Sequence, residues 1–181
     1  YVPGGGTDML GRLMAPHIGE AFGQQVVLDN RAGGSSTIGT HMISQAVPDG
    51  QTIGIVDAAF VTNPSLFSKL PYRTPEDFSL IGLVATAPMV LVVSNVSPVS
   101  YTHLSNVSPL KTVRDLVAAA KAQPGKLTYG TAGAGSATHL AAEQLRSVAG
   151  IELIHVPYKG SGQSITELMG NHLSFAFTTQ G

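Results

Sequence analysis

The sequence predicts an α/β fold made of two units on one plan. Three observations carry this. Short β-rich runs alternate with amphipathic helical stretches, a glycine loop stands ahead of a helix at Gly4–Gly6 and again at Gly130–Gly135, and the strand, loop, helix order starts afresh past residue 92. The expected boundaries are 1–91 for the first unit and 92–181 for the second, with both the start of the first and the end of the second incomplete.

Tyr1-Val2-Pro3 reads as the end of a strand, which points to a truncated N-terminus and to loss of any targeting segment. The next residues, Gly4, Gly5 and Gly6, bare their backbone N–H groups because no Cβ blocks a close approach. Met9, Leu10, Leu13, Met14, Ile18 and Phe22 then recur at helical spacing, with Thr7 or Asp8 placed to cap the free N–H groups. A glycine loop at a helix N-terminus suits a carboxylate or phosphate, since that end carries unpaired donors and partial positive charge. A plain flexible turn is the competing reading. Pro16 falls inside this helix and is expected to kink it.

Gln25–Asp29 reads as a strand, "NRAGGSS" as a turn, and the following stretch as a second helix ending near Val47. Pro48-Asp49-Gly50 is a turn, Thr52–Val56 a buried strand and "DAAFVTNPSLF" a loop. Two apolar runs follow, Leu80–Val84 and Met89–Val93, one of which leaves the first sheet. The second unit reads as a helix over 112–122, the strand "KLTYG", the loop "GTAGAGS" with Ser136 as a cap, a helix carrying Leu140, Gln144, Leu145 and Val148, the strand of "IELIHVP", a short helix over 165–169, and a last strand "LSFAF". Both glycine loops fall where ligands bind in open α/β sheets, at the carboxyl ends of strands.

Composition excludes several functions. With 181 residues, a net charge of −1 and 12% charged residues, the chain lacks the basic stripe of a nucleic-acid binder. Its apolar runs all fall short of a membrane span. There is no cysteine, so thiolate chemistry is out. Six histidines, at 17, 41, 103, 139, 155 and 172, lack the paired spacing of a zinc site, and no metal or cofactor is expected. Arg12 is read as solvated and Arg31 as a brace for its turn. The Ser136 loop lacks the G-x-S-x-G elbow of a hydrolase. Gly130, Gly133 and Gly135 stand at G-x-x-G-x-G, not the dinucleotide order G-x-G-x-x-G, and Glu152 is a weak candidate for a ribose-binding acid. A nucleotide-binding enzyme is therefore the weaker alternative.

Six stretches, in order, resemble one family: "VPGGGTD", "GQQVVLDNRAGG", "AVPDGQTI", "NPSLFSKLPYRTPEDFSLIGLVATAPMVLVV", "QPGKLTYGTAGAGSATHLAAE" and "HVPYKGSGQSITELMGN". The chain is identified by them as resembling the periplasmic substrate-binding proteins of tripartite tricarboxylate transporters, the Bug receptors. That resemblance implies a type II periplasmic-binding-protein fold, a two-lobed Venus flytrap whose second lobe is incomplete here. It implies no catalysis and no cofactor. The implied role is capture of a small carboxylate, a di- or tricarboxylate, acidic amino acid or aromatic acid, and delivery by a monomeric receptor to membrane permease subunits. Carried over by position, Gly4, Gly5, Gly6, Thr7 and Asp8 of the first loop and Thr131, Ala132, Gly133, Ser136 and His139 of the second hold one carboxylate through backbone N–H groups and ordered water, and Ala58 and Ala59 meet the distal end. Where the family often has an acidic residue after the last strand, this chain has Thr178. A receptor that signals instead of feeding a permease is the alternative from the same fold.

SNVSP occurs twice, at 94–98 and 105–109. Deleting 99–109 restores a strand-to-helix crossover like the family's, and 99–104 read like a translated transposase mosaic end, so 99–109 is expected to be an artefactual insertion, with a genuine surface-loop insertion as the alternative. Tyr101 and His103 are given no function.

Overall fold

The computed structural model describes residues 1–94 and 110–179, so the proposed insertion at 99–109 lies outside the described residues. The described residues divide into two compact units: one formed by 1–86 with 135–137, the other by 87–94, 110–134 and 138–179.

The first unit is helical in its regular structure. Helix α1 (Gly6–Phe22) runs through Pro16 and ends at Gly23 in the left-handed conformation, with the Gly23 N–H returned to the α1 carbonyls. A 3₁₀ turn (Gly34–Ser36) leads into α2 (Thr37–Ser44), and α3 follows (Ala59–Leu66). Three sequence expectations fail here. The helix cap is Gly5, in extended backbone, rather than Thr7 or Asp8. Residues 59–66 are a helix, not a loop, because the Asp57 carboxylate accepts the Ala59 N–H at 2.8 Å and caps its first turn. Gln25–Asp29, Thr52–Val56 and Leu80–Val84 form no ladder among the described residues. Their β-rich composition expresses how side chains fit a pleated surface and supplies no hydrogen-bonding partner. The first two segments still lie against helices. Leu28 and Ile55 both approach α1 at Gly11, and Ile43 packs at Gly54, while Val27, Ile81 and Leu83 face outward. Phe60, Tyr72 and Phe78 form the unit's aromatic cluster, edge to face at 5.1 and 5.7 Å.

The second unit follows the sequence closely. Strand β1 (Met89–Val93) precedes α4 (Val113–Ala122), whose Thr112 and Asp115 make a reciprocal capping box. Then come β2 (Thr128–Thr131), α5 (Ala137–Ala149), β3 (Ile154–Pro157), α6 (Ser161–Met169) and β4 (Phe175–Thr179). Thr178 lies within β4, not beyond it. The sheet order is β1-β4-β2-β3, with β1 antiparallel and the other three parallel.

Alternation sorts the side chains onto two faces. One face carries Tyr129, Phe175 and Phe177 and packs with Leu116, Ala120 and Ala142 from α4 and α5. The other carries Ala176, Val156 and Val92 and packs with Leu168 of α6 and Leu173 of the turn before β4. Each fully buried Leu or Phe of these clusters contributes about 1.5–3 kcal/mol. Gly130 lies on the α6 face, where a Cβ would stand 2.5 Å from Leu173 Cδ1 and 3.0 Å from Ser164 Cβ, so that α6 sits directly on β2.

Candidate functional site

The first loop leaves three backbone donors without an acceptor among the described residues and buries its acid. In the first turn of α1, the N–H groups of Gly6 and Thr7 have no intrahelical acceptor. Neither they nor the Gly5 N–H find an acceptor among the described residues. Asp8 is buried. One carboxylate oxygen accepts the Gly4 N–H at 2.8 Å and the Arg12 Nε–H at 2.9 Å, and the other accepts the Asn30 amide at 3.0 Å. The Arg12 bond first, then the Gly4 N–H, push the Asp8 carboxyl down to about 2. Arg12, read from sequence as solvated, therefore has a structural partner: its exposed guanidinium neutralises the loop's one acid. Arg31 does brace its turn, through Asp29 at 2.9 Å, while its carbonyl accepts from the N-terminal ammonium.

Ala58 and Ala59 begin α3. Ala59 N–H is already donated to Asp57 Oδ1. The same carboxylate accepts the Tyr1 hydroxyl, and the Tyr1 oxygen accepts the Asp57 N–H at 3.4 Å. Burial and then the Asp57 charge push the Tyr1 phenol up, so it stays a donor. This pair ties the entry of the first loop to the start of α3. Sequence reading missed both residues, along with Asn63, which is fully buried on α3 and donates to Ser35 O at 2.9 Å. Asn63 Oδ1 is a buried polar atom without a hydrogen-bond partner among the described residues.

In the second loop, Thr131 ends β2 fully buried. Its hydroxyl oxygen accepts the Gly133 N–H at 3.2 Å and lies 2.7 Å from His155 Nε2 on β3. Ala132 N–H is donated to Thr138 Oγ1 at 3.0 Å. The loop is thus braced by its own threonines, and Gly133, at φ +135° with a hypothetical Cβ 3.2 Å from Tyr158 O, admits no side chain without strain. Ser136 is buried just before α5, and the segment 135–137 belongs to the first unit, where Gly135 O accepts from Thr62 Oγ1 at 3.0 Å. His139 stacks flat on His155, with ring centroids 4.1 Å apart, and its Nε2 lies 4.0 Å from Glu143. Tyr129 stacks on the opposite side, 5.0 Å from His155, and donates to Glu143 at 2.6 Å. Burial raises the Glu143 carboxyl, but the Tyr129 hydroxyl and Arg146 outweigh it and hold that acid below its ordinary value. The only signal for His155 in the sequence is its β3 register opposite Tyr129, which needs the pairing to be known.

No group of three metal-ligating side chains occurs among the described residues, and none of their helices is long and apolar enough to cross a membrane. The fold and loops define a periplasmic-binding-protein class of receptor. The model of the tripartite tricarboxylate transporter family receptor matches residues 10–180, and the chain belongs to that family, which is a receptor family and not an enzyme class. A UPF0065 protein from the tcbD-tcbE intergenic region of Pseudomonas sp. strain P51 is 36% identical over 173 residues, 96% of this chain and 48% of the relative. R. palustris Rpa4515 with adipate superposes at a TM-score of 0.88 with 31% identity, over 99% of this chain and 56% of that one. The periplasmic binding protein BugD superposes at 0.87 with 30% identity, over 99% and 56%. The chain therefore spans about half the length of the relatives it matches.

Proposed function

We propose that this chain is the ligand-gripping part of a periplasmic receptor that captures a small carboxylated solute and hands it to the permease of a tripartite tricarboxylate-type transporter. The observation that carries the reading is the set of N–H groups at Gly5, Gly6 and Thr7 that find no acceptor among the described residues, on a helix N-terminus whose own acid is already neutralised. A carboxylate there accepts charge-assisted hydrogen bonds, each contributing about 1.5–3 kcal/mol, and meets the positive end of the α1 dipole. Family membership and the adipate of the Rpa4515 structure support a carboxylate over a phosphate or a nucleotide. In this reading Thr131, Ala132, Gly133, Ser136 and His139 are the carboxylate contacts of the second glycine loop, and Ala58-Ala59 those for a ligand's distal end.

Selectivity among carboxylates follows from groups beyond the first loop, since every member of that class presents the same terminal group to it. The test is a thermal-shift series on this chain with mono-, di- and tricarboxylates, acidic and aromatic acids, and nicotinamide and flavin nucleotides. A ligand at a hundred times its Kd stabilises by about 2.7 kcal/mol. Stabilisation by one carboxylate class supports the receptor. Stabilisation by nucleotides alone overturns it.

A further inference from the structure

We propose that His155 is a positioning residue for the second glycine loop: its bare Nε2 takes the Thr131 hydroxyl proton, which leaves the Thr131 oxygen to hold the Gly133 N–H, so that loop geometry depends on whether this ring is protonated. For ligand binding the inference rests on the receptor reading above; the coupling itself does not.

A hydroxyl has one proton to give and lone pairs with which to accept. Thr131 Oγ1 has three neighbours. Gly133 N, at 3.2 Å, can only donate, so the oxygen accepts there. The one hydroxyl proton then has two destinations, His155 Nε2 at 2.7 Å or Gly133 O at 3.4 Å. The shorter one wins while Nε2 is bare, and the chain N–H to O–H to N runs in one direction, each bond polarising the next. Once Nε2 carries a proton the ring becomes the donor. The hydroxyl must then swing to the long contact with the Gly133 carbonyl, and a fully buried Thr131 has no solvent in which to remake the lost bond.

The surroundings keep the ring neutral at ordinary pH. His155 is sandwiched between Tyr129 of β2 and His139 of α5, tilted by only 18° and 16°. The titratable and charged groups that bear on it are these two together with Glu143 of α5, whose carboxylate is shared with Tyr129 and Arg146. Burial, and second the neighbouring His139, push His155 down to about 4, against a pull upward from Glu143.

The test uses isotope-labelled chain and needs no known ligand. Long-range ¹⁵N correlation near pH 7.5 should show His155 protonated at Nδ1 and bare at Nε2. On acidification the Gly133 amide should shift with the same midpoint as the His155 ring. Thr131→Val should break that correspondence and Thr131→Ser should restore it. In a second arm, adipate is the probe. The ratio of its Kd near pH 3.5, below the His155 midpoint, to that near pH 7.5 should be larger in the natural chain than in His155→Gln by about two- to threefold, the worth of one hydrogen bond lost in the protonated fraction. Adipate's own ionisation cancels between the two proteins. A protonated Nε2 at neutral pH, or a Gly133 amide indifferent to the His155 titration, overturns the proposal, as does an equal Kd ratio in both proteins. Failure of every carboxylate to bind would instead remove the receptor reading, with the ring-to-amide coupling still decided by the first arm.

Discussion

The hydroxyl oxygen of Thr131 stands 2.7 Å from Nε2 of His155, across the β2–β3 pairing, and joins a titratable ring to a glycine loop. The folded chain holds this ring at about 4, below the ordinary 6.5. The folded state then binds fewer protons than the unfolded state between those values, so the associated stability is complete above about pH 6.5 and is lost as pH falls towards about 4. Urea midpoints measured near pH 7.5 and near pH 5 should differ in that direction. His155→Gln should shrink the difference, and an unchanged difference would remove His155 as its source.

Asp8 works in a lower window. Its carboxyl lies at about 2 in the folded chain against an ordinary 3.8, so its contribution is present above about pH 4 and is lost as pH falls through 2. Because Asp8 holds the Gly4 N–H in place, Asp8→Ala should weaken carboxylate binding several-fold although its own oxygens are turned inward. Asp8→Asn should do less harm, since its amide oxygen can still accept from Gly4. Titration calorimetry with adipate checks the order.

Gly5 offers the cleanest probe of the first loop. Its backbone is extended, at φ −82° and ψ 165°, and a Cβ there would meet nothing closer than Val2 O at 3.6 Å. Gly5→Val should therefore leave the melting temperature nearly unchanged while abolishing carboxylate binding, because the added side chain crowds the donors at Gly5 and Gly6. Retained affinity in a folded variant would place the ligand elsewhere.

Gly130→Ala tests the packing of α6 on the sheet. The new methyl group would press on Leu173 and Ser164, both buried, and overpacking of this kind costs about 1–3 kcal/mol. The urea midpoint should fall with an unchanged m-value.

The second unit was legible in the sequence because each of its elements carries a local signal and finds its partner within the described chain. Thr112 and Asp115 announce α4, the glycines of the 130–135 loop separate β2 from α5, and Phe175 and Phe177 place β4 on the core face. In the first unit Val27, Ile53 and Ile81 have strand composition but no ladder, and periodicity cannot show whether a neighbouring backbone is there to pair with. The loop glycines were readable as a candidate anion cradle. The groups that shape the two loops were not, since Tyr1 with Asp57, Asp8 with Asn30, and Thr131 with His155 are 56, 22 and 24 residues apart. Such contacts follow from tertiary packing alone. Asp8 shows the consequence best: its carboxylate is held by Gly4, Arg12 and Asn30, a geometry suited to fixing the loop, and the Asn30 contact has no signal in the local sequence.

The most direct measurement is amide chemical-shift mapping of the labelled chain during titration with adipate, and in parallel with 1,6-hexanediol, which has the same chain length and no charge. A carboxylate receptor gripping through its first loop predicts saturable shifts at the Gly5, Gly6 and Thr7 amides with adipate and none with the diol. Shifts that fail to saturate at those three amides, or that the diol reproduces, would contradict it.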